Sequence, residues 1–165
     1  MGHRIARLAL IALSAAWLGT SAAQAGDLEA GTEAYDGGEY ATALAAWKRA
    51  AAAGSIAAMN AIASLHAEGE GVRPDRALAA AWYRRAAERG DAVAQLNLGD
   101  MYSRGLGIRR DPVEAYLWLG LAAAQGSAWA AQRQNEIAAT MTAADIGRAR
   151  ARIAAWTPRR LPARP

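Results

Sequence analysis

The chain has 165 residues, 53% of them hydrophobic, with 19 Lys and Arg against 15 Asp and Glu, a formal net charge of +4 and no cysteine. That length holds one domain, and the missing cysteines exclude disulfides and thiolate metal sites. Loss of Arg4 and Arg7 with a leader lowers the charge to about +2, too little for a binder that depends on many phosphate contacts, so no nucleic-acid partner is expected.

The first 25 residues read as that leader. Arg4 and Arg7 give a positive start, LALIALSAAWLG (8–19) an apolar run, and AQA (23–25) a small-x-small cleavage site, the pattern of a secretory signal peptide. The run is shorter than the roughly 20 apolar residues that cross a bilayer. Cleavage after Ala25 is therefore expected, leaving no membrane span. With neither paired arginines nor a lipidation cysteine, the leader points to a Sec-type route and a periplasmic or secreted product. The segment behind it, GDLEAGTEAYDGGE (26–39), carries only acids.

A period of 36 residues organises the chain beyond this acidic segment. GEGVRPDRALAAAWYRRAAERG (69–90) is answered by GLGIRRDPVEAYLWLGLAAAQG (105–126), with Gly69 on Gly105, Asp75 on Asp111, Trp82 on Trp118 and Gly90 on Gly126. A partial copy, YATALAAWKRAAAAG (40–54), precedes them, with Trp47 on the column of Tyr83. A fixed period in the range of about 20–50 residues marks a repeat array.

Each unit reads as two helices. Gly54, Gly90 and Gly126 end Ala-rich runs in the left-handed position that suits glycine, and Ser55, Asp91 and Ser127 then cap the next helix. So short a connection folds the helices back on one another. Gly69/Gly71 and Gly105/Gly107 turn the chain before Asp75 and Asp111 cap the second helix, with Pro112 at N1 and Glu114 completing a capping-box pattern. These glycines lack the strand and the G-K-[ST] of a phosphate loop. Ala58, Ala79, Ala94, Ala115 and Ala130 are expected where helices approach closely, and Trp82 and Trp118 as pillars between hairpins. Beyond Gly126 the glycine turn is absent, so residues 127–156 read as terminal capping helices, the last one capped by Thr142. The tail TPRRLPARP (157–165) is Pro-rich and basic and is expected to be disordered. The pattern predicts eight helices in four pairs.

These columns resemble the Sel1-like repeat, a relative of the tetratricopeptide repeat. Gly90, Ala92, Ala94, Gln95, Leu98, Gly99, Tyr102, Gly105, Gly107 and Ile108 fit the first half of its pattern, and Asp111, Ala115, Trp118, Ala122, Ala123 and Gly126 the second. The preceding unit departs at Met59, Ile62, Ala63 and His66. The clearest repeats run over 54–89 and 90–125, inside a repeat domain of 26–156. The resemblance implies an all-α fold, a right-handed α-α superhelical solenoid of about four helical hairpins, its concave face lined by the first helix of each pair. It also implies protein–protein contacts, often in envelope signalling, secretion or exopolysaccharide control. The β-lactam binding linked to a cysteine-rich branch does not transfer to a chain without cysteine.

The catalytic inventory is thin. His66 is the only histidine after the leader and Lys48 the only lysine, no serine starts an S-x-x-K, and HAE (66–68) lacks the P-C-x-x-C of zinc deaminases. Glu68 and Glu70 fall in a solvated turn. No catalytic residue, metal or cofactor is expected, and the chain reads as a non-enzyme. Two binding readings remain. One is a scaffold for another protein, an envelope or membrane-associated one, acting as regulator of an envelope complex; the other is a carbohydrate or peptidoglycan module using exposed aromatics. The helix face opposite Ala94 and Leu98 is mostly polar rather than aromatic, which favours the protein partner. The candidate contacts are Asn60, Ser64, Asn97, Asp100 and Arg104. Asn meets a peptide backbone as donor or acceptor, and Arg104 can reach a carboxylate.

Overall fold

The computed structural model describes residues 25–159, and all the regular structure among them is helical. Eight helices follow in order: α1 (25–36), α2 (Tyr40–Ala52), α3 (Ile56–Glu68), α4 (Arg76–Ala87), α5 (Ala92–Arg104), α6 (Pro112–Ala124), α7 (Ala128–Ala138) and α8 (Ala143–Ala154). The leader through residue 24 and the end of the basic tail, 160–165, lie outside the described residues. Among the described residues no helix is long and apolar enough to cross a membrane.

The turns repeat as physical objects, not only as letters. Backbone N–H groups of Ser55, Asp91 and Ser127 donate to the carbonyls of Ala50, Ala86 and Ala122 at 2.9, 3.3 and 3.2 Å. The glycine before each has φ of 104°, 95° and 98°, a conformation costly for any residue with a Cβ. In the longer connection Asp75 N–H donates to His66 O at 2.8 Å, and Asp111 N–H to Tyr102 O at 3.1 Å, the same bond one repeat on. Side-chain caps fall where the sequence places them. Asp75 accepts from Leu78 N–H, Asp91 from Ala94, Ser127 from Ala130 and Thr142 from Asp145. Asp111 accepts from both Val113 and Glu114, but the capping box does not close. The Glu114 carboxylate turns instead to the Trp118 indole at 3.1 Å and to Arg152 at 2.6 Å, where a charge-assisted bond outcompetes the return to the cap.

The described chain divides into two compact units at Ala58/Met59. In the first, a Cβ on Gly31 would stand 2.3 Å from the Trp47 ring, so glycine lets α1 lie against the indole. Tyr35 packs on the same ring with centroids 5.5 Å apart, and Asp27 pairs with Arg49 at 2.8 Å. In the second unit α4 packs on α5, α5 on α6, and α6 on both α7 and α8. Ala79, Ala94, Ala115 and Ala130 are each 0% exposed, as close helix approach requires. Gly99 carries that logic furthest: a Cβ there would sit 2.7 Å from Leu119 Cγ and 3.0 Å from its backbone nitrogen.

The aromatic pillars divide. Trp118 is buried at 6%, yet Trp82 is only half-buried, its ring covered by the Arg85 guanidinium 4.3 Å from the centroid. The deep column is the next one: Tyr83 is 8% exposed and its counterpart Leu119 0%. Trp118 owes its burial to α6 being flanked by α8 as well as by α5 and α7. Past α8 the chain turns back on α4. Arg159 N–H donates to Glu88 O, its guanidinium meets the Glu88 carboxylate at 3.0 Å, and Trp156 and Pro158 lie 3.5 Å from where a Gly90 Cβ would be.

One buried polar position links consecutive hairpins. Gln95 is 0% exposed, donates to Ala87 O at 3.2 Å and accepts from Gln125 at 2.8 Å, while Gln125 also donates to Gly90 O. One repeat earlier the same two columns hold Met59 and Arg89, again in contact, with the guanidinium on the thioether sulfur. Burial pushes the Arg89 guanidinium below its ordinary value; neighbouring Arg85 adds to this and Glu88 opposes it. The pair therefore changes together. Gln95→Met alone is expected to cost about 1 kcal/mol by removing its bonds to the Ala87 carbonyl, which keeps the Gly90 N–H, and to the Gln125 amide. Adding Gln125→Arg should recover part of it, and urea unfolding of wild type, single and double variants measures both.

Candidate functional site

Asp100, near the middle of the exposed side of α5, gathers the densest polar network among the described residues. Its carboxylate pairs with Arg104 one turn on at 3.1 Å and with Arg133 of α7 at 3.6 Å. Ser103 Oγ donates to the Asp100 carbonyl at 2.8 Å and receives Arg133 at 3.2 Å. Arg133 also meets Glu136 at 2.6 Å, and its guanidinium lies 5.8 Å from the Trp129 ring centroid. The Arg133 bond, with a second from Gln132, holds the Glu136 carboxyl below its ordinary range. Two first helices, α5 and α7, are thus joined across one face.

Beside this network stand two exposed hydrophobic side chains. Val93 is 56% and Trp129 49% exposed, and they occupy the same repeat column on α5 and α7, 36 residues apart. Half of the Trp129 ring is left in water beside these paired charges. Trp and Arg are the residue types that most often anchor protein interfaces.

The five residues expected from sequence divide. Asp100 and Arg104 belong to this network. Asn97 is half-buried on α5, in the column that holds Arg133 on α7. Asn60 lies between helices: its amide donates to Asp91 Oδ1 at 2.9 Å, bracing the residue that caps α5. Ser64 donates to Glu68 at 3.1 Å and bonds the Tyr83 phenol, which burial pushes above its ordinary value. Arg133 and Trp129 fall outside that set because its contacts come from α3 and α5 alone. Reading columns 93 and 97 forward by 36 finds both. Among the described residues no three His, Asp or Glu side chains converge as a metal site would.

Helical hairpins on a 36-residue frame, with short glycine turns and a decorated first-helix face, define an all-α repeat protein of the solenoid class. The chain carries two Sel1 repeats: the Sel1 repeat model matches residues 56–91 and 92–127. Among solved structures it is similar to a protective antigen of uropathogenic Escherichia coli that displays an SLR fold. They share 28% identity at a TM-score of 0.74, over 81% of this chain and 29% of that one. It is also similar to a Sel1 repeat protein from Oxalobacter formigenes, at 36% identity and a TM-score of 0.62, over 67% of this chain and 45% of that one. The chain therefore spans less than half the length of either. No curated protein sequence matches it. Sel1 repeats generally mediate protein–protein interaction, and the family is typically a non-catalytic scaffold.

Proposed function

We propose that this chain is a non-enzymatic scaffold, exported to the periplasm by its leader, that regulates an envelope complex by binding a protein partner on the α5–α7 face. The observation that carries the reading is exposed Trp129 beside the Asp100–Arg133 network, with Val93 repeating its column. The network holds its charges in fixed geometry, which lowers the ordering cost of a contact. Removing Trp129 and Arg104 together leaves the helix cores untouched.

The test is in-cell crosslinking of the native host's periplasm, comparing wild type with Trp129→Ala/Arg104→Ala. One protein partner should fall by about 5- to 30-fold in the variant, as loss of an anchor of about 1–2 kcal/mol implies. Circular dichroism should stay unchanged. Equal capture by both proteins would move the partner to another face. The carbohydrate alternative rests on the same exposed indole, since sugar rings also stack on tryptophan. Quenching of tryptophan emission by soluble peptidoglycan fragments in wild type, lost in Trp129→Ala, would favour it.

A further inference from the structure

We infer that the arginine-lined groove between α4, α6 and α8 is a second docking site, taking an acidic segment of a protein partner. None of its lining residues belongs to the Trp129 network, although Ser103 borders both, and the inference does not rest on that face. The groove has a volume of about 790 Å³ and is walled by Arg84 of α4, Tyr102 at the end of α5, the 108–112 turn, Trp118 of α6 and Arg152 of α8.

Its charges are unevenly matched. Every carboxylate in it is already engaged: Glu88 by Arg159 at 3.0 Å, Glu114 by Arg152 and the Trp118 indole, and Asp111 by the amides of Val113 and Glu114. Arg84, Arg109 and Arg110 make no ion pair among the described residues. Two of these three are held in place by neutral groups. Arg84 donates to the Tyr102 hydroxyl and lies 5.5 Å from its ring centroid. Arg110 Nε donates to Ser103 O at 3.0 Å.

A guanidinium has five donors, so each of these bonds orients the group and leaves most of its donors open. That is the arrangement for receiving carboxylates two donors at a time. Ile108 and the Trp118 ring give the groove an apolar floor for a side chain between the acids. Folding does not demand this pair of arginines. One repeat earlier the column of Arg110 holds Pro74, and the turn makes the same backbone bond. Arg73 there stands without the second arginine, so the doubled charge belongs to this turn alone.

The probe is a fluorescein-labelled peptide, Glu-Asp-Trp-Glu-Asp-Glu, titrated with the full chain after its leader and followed by fluorescence anisotropy. Wild type should bind it and should not bind the Gln-Asn-Trp-Gln-Asn-Gln control. Arg84→Gln/Arg109→Gln/Arg110→Gln should weaken binding by about 30-fold or more, and Arg109→Glu, on an exposed side chain, by about tenfold. Trp129→Ala/Arg104→Ala should bind as wild type does. The inference is overturned if wild type ignores the acidic peptide, if it binds the neutral one equally, or if Arg109→Glu binds unchanged. Tighter binding to phosphatidylglycerol vesicles than to the peptide would overturn it as well, by assigning the arginines to a lipid surface.

Discussion

Gly107→Ala is expected to be the most damaging small substitution in the chain, costing about 2–5 kcal/mol. Two independent penalties meet there. The residue has φ of 69°, where a Cβ costs about 1–2 kcal/mol. The added Cβ would also stand 2.3 Å from the Arg76 carbonyl carbon, 2.4 Å from its oxygen and 2.6 Å from Ala77 N. These are backbone atoms at the start of α4, which cannot swing aside as a side chain can, so overpacking adds about 1–3 kcal/mol. The glycine turn of one repeat is therefore the seat for the second helix of the repeat before it. Gly126→Ala is the control: φ is 98°, but nothing lies within 4 Å of its Cβ position, so only the conformational penalty applies. Thermal and urea unfolding of the two variants should separate them clearly, Gly107→Ala being much the weaker. Equal loss in both would show that the turn yields without disturbing α4.

The same pair explains which parts of the fold were legible. Gly90, Asp91, Gly126, Ser127, Asp111 and Pro112 each act within three or four residues of themselves, through φ or a cap bond, so their letters state their roles. The 36-residue period then carried those local rules from one hairpin to the next. What stayed hidden depends on a neighbour distant in sequence. Asn60 and Asn97 look alike as exposed amides, but Asn60 reaches Asp91, 31 residues on, and braces a cap. Gln95 was legible as a family column, not as the buried link whose partner is Gln125. Trp82 and Trp118 share a column and differ in burial because only the second lies on a helix flanked by α8. A periodic sequence reports what every repeat shares. The charges of Arg133 and the open ring of Trp129 are what one repeat has for itself, and these set the candidate interface.

Trp118→Ala is expected to cost roughly 3–5 kcal/mol, the range for truncating a buried large side chain. The ring is 6% exposed, and its indole N–H donates to Glu114, which in turn holds Arg152 of α8. Truncation thus opens a cavity beside α6 and loosens the carboxylate that ties α8 to it. Trp118→Phe keeps a six-membered ring but gives up three buried ring atoms as well as the N–H bond, for about 1–3 kcal/mol. Trp82→Ala, at the same column but half-exposed and covered by Arg85, should lose about 1–2 kcal/mol, from a partial burial and a cation–π contact. Trp118→Ala losing more than either Trp82→Ala or Trp118→Phe, read from urea unfolding, is the expected result. Hydrogen exchange should show α8 opening first in Trp118→Ala, because the Glu114 carboxylate that pairs with Arg152 has lost its indole donor. A Trp118→Ala protein as stable as wild type that no longer bound peptidoglycan fragments would mean the ring serves a ligand instead of the core, and the carbohydrate reading would then hold.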